Sequence, residues 1–372
     1  MLTYWPHGML RRLVKGAALV AALAAAGCGR PRDTIFEGYA FVAAAGNSSL
    51  TVVDLASFSV RRQIPLRSRP LETAAYPERR LLYVLGEGWV TAVDTEKLEA
   101  VRTAPVGDKP RRLRLGKQLY VAEAASLRAF DPVTLAPGKQ IRLPAPAVDF
   151  DLSPDGRWAC VSLASGQAAV VDLEQGKVTA TVRVGREPAA VAVRYDGRQV
   201  FVADRGDRVL AAIDLLGGRL IARLPLNTRP EAMRFKPDGG ELFVSGGDSG
   251  VVVIVSAYRD EVDQPLLAGA EPRDMAISAD NRMLYVANSA ANTVSVIDIE
   301  QRRTLAAVPV GDGPHRVALT PDGQYALALN RRSGDMAVIR RRIVEGAREQ
   351  IRPLFTLIPV GGQPVDLVVQ AR

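Results

Sequence analysis

Residues 284–299 read LYVANSAANTVSVIDI. Apolar and polar positions alternate in two runs of strand length, parted by Asn288, Ser289 and Asn292, which is the pattern of a β-hairpin. A lone hairpin is marginal in water, so it must stack against something, and a copy of itself is the simplest partner. Copies run along most of the chain. Taking Asp298 as a phase marker, the equivalent positions are Ser256, Asp214, Asp172, Asp131, Asp94 and Asp54 towards the N-terminus and Arg340 towards the C-terminus, 37 to 42 residues apart. Pro70, Pro110, Pro146, Pro188, Pro230, Pro272, Pro314 and Pro364 form a second series in step with the first, each opening a short apolar run. Between that run and the hairpin lie turns such as SPDG (153–156), KPDG (236–239) and TPDG (320–323). In these, proline fixes φ, aspartate bonds nearby backbone and glycine takes positive φ, so they read as tight strand connections.

Each unit therefore holds four short strands: one after the proline, the two of the hairpin, and a closing run such as TLAAVPV (304–310). Four antiparallel strands at this period are the signature of a β-propeller blade. The expected fold is all-β, an eight-bladed propeller over residues 35–372, with seven blades as the alternative if the compressed unit between Pro110 and Pro146 merges with a neighbour. The first proline follows the first hairpin, and only VDLVVQAR follows the last. The N-terminal stretch from Tyr39 thus supplies three strands of one blade and PVDLVV the fourth, which closes the ring and hides its edges.

The YVANSAANTVSVID run, the PDG turns and the VGxxP segments together resemble the YVTN family of bacterial β-propeller repeat proteins, from about Tyr39 to Val369. The resemblance implies a propeller fold and says little of function.

An export signal precedes the ring. Arg11, Arg12 and Lys15 are followed by an apolar stretch, Gly16 to Ala26, that meets Cys28 in AAAGCGR, too short for a membrane span and right for a secretory leader. Ala26 and Gly27 before the cysteine resemble a lipobox, although Ala25 stands where leucine is usual. Residues 1–27 are read as a lipoprotein signal peptide with Met1 or Met9 as its start, Cys28 as the lipidated residue and 28–34 as a tether. Gly29 in place of aspartate points to an outer-membrane anchor facing the periplasm. Of the two cysteines only Cys160 then remains, in WACVS, and it reads as a small buried hydrophobe.

The formal charge is +8, part of it in the leader and part between Arg331 and Arg352, around the insert RRIVEGAREQIRP (341–353). Aromatic residues are sparse there, so specific nucleic-acid binding is not expected. The chain has two histidines, of which His7 leaves with the leader, so neither a histidine-built metal site nor a histidine pair for haem is available. His315 has no nucleophile motif beside it. RGD (205–207) and GGDSG (246–250) fall at hairpin tips, where glycine is wanted for the turn. No catalytic residue, cofactor or metal is assigned, and a monomer is expected.

Ligand binding is expected where the proline-led strands begin, at the mouth of the channel that they line. The candidate residues are Arg69, Lys109, Arg111, Arg112, Arg229, Glu231, Arg273, Asp274, His315 and Arg316, a set suited to an anionic ligand or an envelope protein. A second expectation comes from charges on strands that are otherwise apolar. Arg112 and Arg114 in one unit and Asp149 and Asp151 in the next should form an ion network between adjacent blades. The leading function is a non-catalytic, lipid-anchored binding propeller. The alternatives are a lactonase-like hydrolase with a metal on channel carboxylates such as Glu72, Asp149, Asp274 and Asp366, and an accessory of an envelope redox or cofactor system.

Overall fold

The computed structural model describes residues 36–341 and 353–372; the leader, Cys28, the tether and most of the 341–353 insert lie outside them. Eight antiparallel sheets follow one another, numbered here as blades 1 to 8. The strands run in chain order from the channel outwards in blades 2 to 8, whose inner strands are Pro70–Tyr76, Arg112–Leu115, Ala147–Leu152, Pro188–Val193, Pro230–Phe235, Pro272–Ile277 and Pro314–Leu319. Blade 1 joins the two ends of the chain: Gly38–Ala44, Ser49–Asp54 and Ser59–Pro65 take Pro364–Ala371 as their inner strand, with Gly38 opposite Ala371 and Val42 opposite Leu367. The compressed unit is a complete blade, Arg112–Leu115 to Pro137–Arg142, so the ring has eight blades and not seven. It is short because its first two strands have four residues each where those of blades 2 and 4 have six or seven, and because a three-residue link, in which the Gly116 amide donates to the Gln118 carbonyl at 2.9 Å, replaces the longer PDG turn. Blade 6 departs otherwise, with its outer edge split into Glu261–Val262 and Leu266–Leu267.

The repeated residues are explained by local hydrogen bonding. In the hairpin that opened the analysis, Leu284 faces Ile297 and Val286 faces Ser295. The Asn288 side chain donates to Ser295 Oγ at 2.9 Å and to the Ala268 carbonyl at 3.3 Å, tying the hairpin to the segment before it. The phase-marker aspartates cap the turn that follows them: Asp94, Asp131, Asp172 and Asp298 each accept the amide three residues on at 2.7–2.8 Å. In the SPDG turn Gly156 has φ 66°, and its amide donates to the Ser153 carbonyl at 2.8 Å.

Packing explains why the strands are apolar on both faces. Eight buried clusters lie between neighbouring blades, one at each junction around the ring. Phe41, Tyr83, Phe130, Phe150, Phe201, Phe243 and Tyr285 are the largest fully buried side chains, at least one from each of blades 1 to 7. A blade has no core of its own, so each depends on both neighbours. Cys160 lies fully buried in the cluster between blades 4 and 5. Burial pushes its thiol pKa up, with the charge of Asp151 adding to the shift, so it stays protonated.

Candidate functional site

Inner strands present unpaired backbone amides towards the channel, and carboxylates from the preceding blade accept them. Asp366 takes the Thr73 amide at 2.8 Å, Glu72 that of Leu113 at 2.6 Å, Asp149 that of Val191 at 3.2 Å, Asp151 that of Val193 at 2.8 Å and Asp274 that of Val317 at 3.3 Å. A strand edge whose donors are capped in this way is fixed in place and closed to further pairing.

Arginines compensate the same carboxylates. Arg114 bridges Glu72 of blade 2 at 2.9 Å and Asp149 of blade 4 at 3.3 Å, while Arg112 Nε donates to Asp149 at 3.1 Å. Arg234 reaches Asp274 at 2.7 Å, and Arg316 lies 3.3 Å from Asp366 and 3.9 Å from Asp274. Burial works against charge on Arg114 and Arg316. Glu72 and Asp149 around the first, and Asp366 and Asp274 around the second, outweigh it and hold both pKa values above the ordinary arginine range. Arg112, Arg114 and Asp149 thus come together between blades 3 and 4. Asp151, expected in the same network, makes no ion pair within 4 Å among the described residues; it turns to blade 5, and burial raises its pKa. Arg234 was not singled out in the sequence, although as the fifth residue of the Pro230 strand it occupies the place that Arg114 holds after Pro110.

These contacts bear on metal chemistry. Among the described residues no three of His, Cys, Asp and Glu are grouped as metal ligands. Glu72, Asp149, Asp274 and Asp366 are each engaged by both an arginine and a backbone amide.

At the proline end two adjoining cavities open. One, of about 340 Å³, is bounded by Arg69, Glu87, His315, Arg316 and Arg331; the other, of about 430 Å³, by Glu87, Asp108, Lys109 and Arg111. Leu71 and Glu87 belong to both. Among the described residues Arg69 is held by the Gln363 carboxamide, at 3.1 Å, and by no carboxylate. Among the described residues Lys109, Arg111 and Arg331 have no ion-pair partner, and all three are exposed. Four cations therefore face Glu87 and Asp108, an excess of positive charge. Arg331 was read in the sequence only as part of the C-terminal basic run. It follows the second strand of blade 8, and Asn330 at the end of that strand pairs with Pro314, so the register brings Arg331 to the mouth.

His315 is half-buried between blades 8 and 1, with Nδ1 3.1 Å from the Leu329 carbonyl and Nε2 3.3 Å from that of Val365. Burial, then the charge of Arg316, pushes its pKa down to about 4. The ring is neutral at pH 7 and donates to only one of the two carbonyls. The remaining candidates lie elsewhere. Arg112 and Asp274 belong to the channel, Arg229 pairs with Glu187 at 2.8 Å, and Glu231 is held by Arg205 at 2.8 Å and Arg273 at 3.3 Å.

A model of the lactonase family described as a seven-bladed β-propeller matches residues 262–353, about a quarter of the chain. No curated protein sequence matches. Among solved structures, dihydro-heme d1 dehydrogenase NirN in complex with DHE superimposes with a TM-score of 0.74 at 19% identity, over 89% of this chain and 74% of that one. Hydrazine synthase of Kuenenia stuttgartiensis gives 0.57 at 21% identity, over 73% and 95%. A protein of unknown function from Desulfotomaculum acetoxidans DSM 771 gives 0.59 at 14% identity, over 80% and 98%. At these identities the likeness is one of fold: the chain shares a propeller architecture that proteins of quite different activity also carry.

Proposed function

We propose that this chain is a non-catalytic binding propeller of the YVTN kind, held at the membrane of the cell envelope through a lipid on Cys28. Its mouth binds an anionic ligand or the acidic segment of a periplasmic protein. The observation that carries this reading is the group of Lys109, Arg111 and Arg331, three exposed cations beside two cavities with no carboxylate paired to them among the described residues. Elsewhere on the rim the charges are matched, as in Arg229 with Glu187 and Arg273 with Glu231. Short loops beside the inner strands hold the unmatched cations, which favours recognition over chemistry.

Crosslinking in intact cells tests the proposal. A photoreactive group at position 111 should capture an acidic neighbour, and the pair Arg111→Ala and Arg331→Ala, with crosslinking from position 69, should lose it without loss of folded protein. Raised salt should weaken capture. The lactonase-like reading rests on the partial family match over residues 262–353. Turnover of lactones or esters by the purified protein, abolished by a chelator, would overturn the binding reading in its favour. An accessory role in an envelope redox or cofactor system has the fold likeness alone behind it and ranks after both.

A further inference from the structure

At the end of the ring opposite the mouth, the turn of blade 4 leans on the turn of blade 5: Pro154 stands 3.5 Å from where a Cβ on Gly197 would lie. Blade 3 has no such turn to lean on blade 4, because its first two strands are joined by the three-residue link. In its place the stem of Lys117 reaches Gly156, 3.1 Å from where a Cβ there would lie. Beside that stem a cavity of about 350 Å³ opens, bounded by Arg114, Leu115 and Lys117 of blade 3 and by Asp151, Leu152, Pro154 and Asp155 of blade 4. Its volume suits a small molecule.

The charges that line this cavity are unevenly compensated. Arg114 is answered by Glu72 and Asp149, and Lys117 lies 3.7 Å from Glu174, so neither cation adds much net charge to the site. Asp151 and Asp155 have no ion-pair partner within 4 Å among the described residues. The turn aspartates of blades 5 and 6 do have one: Asp196 pairs with Arg194 at 2.8 Å and Asp238 with Lys236 at 3.1 Å. Asp151 is half-buried, and burial raises its pKa, as happens where a carboxylate is short of compensating charge. Its Oδ2 accepts the Val193 amide at 2.8 Å and its Oδ1 the Leu152 amide at 2.9 Å, so each oxygen keeps one acceptor site. Asp155 is exposed at the rim, and hydrogen bonds from Ser153 Oγ and the Arg157 amide hold its pKa down, so it is ionised at pH 7. The unmet demand of the cavity is therefore a positively charged N–H donor, beside the apolar surface of Leu115, Leu152 and Pro154.

We propose that this cavity binds a small aliphatic primary amine as its ammonium ion. The ammonium donates to Asp151, Asp155 adds negative charge at the rim, and the alkyl chain lies against Leu115, Leu152 and Pro154. The site stands apart from the mouth and does not depend on the function proposed there.

The test uses the purified, isotope-labelled protein at pH 7 and two probes of similar shape, n-butylammonium and the uncharged 1-pentanol, with backbone amide resonances followed by NMR. The ammonium should shift the amides of Leu152 and Val193, which donate to Asp151, in a saturable manner. It should bind at least about tenfold more tightly than the alcohol, as expected for a hydrogen bond to a charged group. Asp151→Asn, close in shape and uncharged, should bring the two affinities together. No saturable shift at Leu152 and Val193 would overturn the proposal, as would equal affinities or a preference that survives in Asp151→Asn. Equal shifts at the amides of Arg198, Gly240 and Gln324, which donate to the turn aspartates of blades 5, 6 and 8, would mean counter-ion screening only and would also overturn it. If Asp151→Asn fails to fold, the native protein decides: ammonium shifts confined to the residues around the cavity support the site, and shifts elsewhere refute it.

Discussion

Arg114 bridges three successive blades, so its removal measures what the channel network contributes. Arg114→Met keeps most of the aliphatic stem, removes the guanidinium that lies 5.7 Å from the centre of the Phe150 ring, and leaves Glu72 and Asp149 in a buried setting with fewer partners. Breaking a buried ion pair from one side costs about 3–5 kcal/mol. Here Glu72 retains the Leu113 amide, Asp149 retains Arg112 and the Val191 amide, and the Arg114 side chain is 30% exposed. The cost should therefore fall to roughly 2–3 kcal/mol, below that range because partners remain. The assay is guanidinium unfolding at pH 7, read as a lower midpoint at unchanged slope. Glu72→Gln made alone should also destabilise, and the double variant should be less damaged than the sum of the two singles by about 1–3 kcal/mol, since the second change removes a charge that the first left unpaired. A single variant within about 0.5 kcal/mol of the native protein, or a double variant that is additive within about 0.5 kcal/mol, would refute the view that these charges act as one network.

Three further outcomes are expected. Deleting residues 364–372 removes the inner strand of blade 1 together with Leu367, Val368 and the bond from Asp366 to Thr73, so the truncated chain should lose its cooperative thermal transition, because the loss rivals a total stability of about 5–15 kcal/mol; a truncation as heat-stable as the full chain would refute closure by this strand. His315 has a folded pKa of about 4, below its ordinary 6.5, so the unfolded chain takes the proton first. The stability gained by keeping the ring neutral is fully present above pH 6.5 and is lost as the pH falls towards 4. It amounts to at most about 3 kcal/mol, and His315→Asn should flatten that part of the stability profile. Cys28→Ser should leave the protein soluble or uncleaved on membrane fractionation, and unchanged membrane association would refute the lipid anchor.

The sequence by itself determined the architecture, because a propeller is built from local rules repeated. Alternation at Leu284–Ile299, the turn-capping aspartates in phase with Asp298, and the proline-led strands each act within a few residues, and so they are visible in a linear string. Ring closure was also legible, since an unmatched PVDLVV at one end and a blade lacking its first strand at the other leave only each other as partners. The pairing of Arg112 and Arg114 with Asp149 was within reach for a similar reason: charges on strands packed on both faces need compensation, and adjacent units are adjacent blades. What the tertiary structure decided is everything that depends on which atoms meet across a junction. Asp151 caps the Val193 amide instead of joining the arginines, and Glu72 enters the network from the blade before, because the angle between blades sets which carboxylate reaches which donor. Arg331 and Arg111 lie far apart in sequence and meet at one mouth only because the ring brings blade 8 round beside blades 1 to 3. The amide of Gln370, unpaired among the described residues, had no signature in the string, since being unpaired is a property of a residue's surroundings, and those are supplied by the fold.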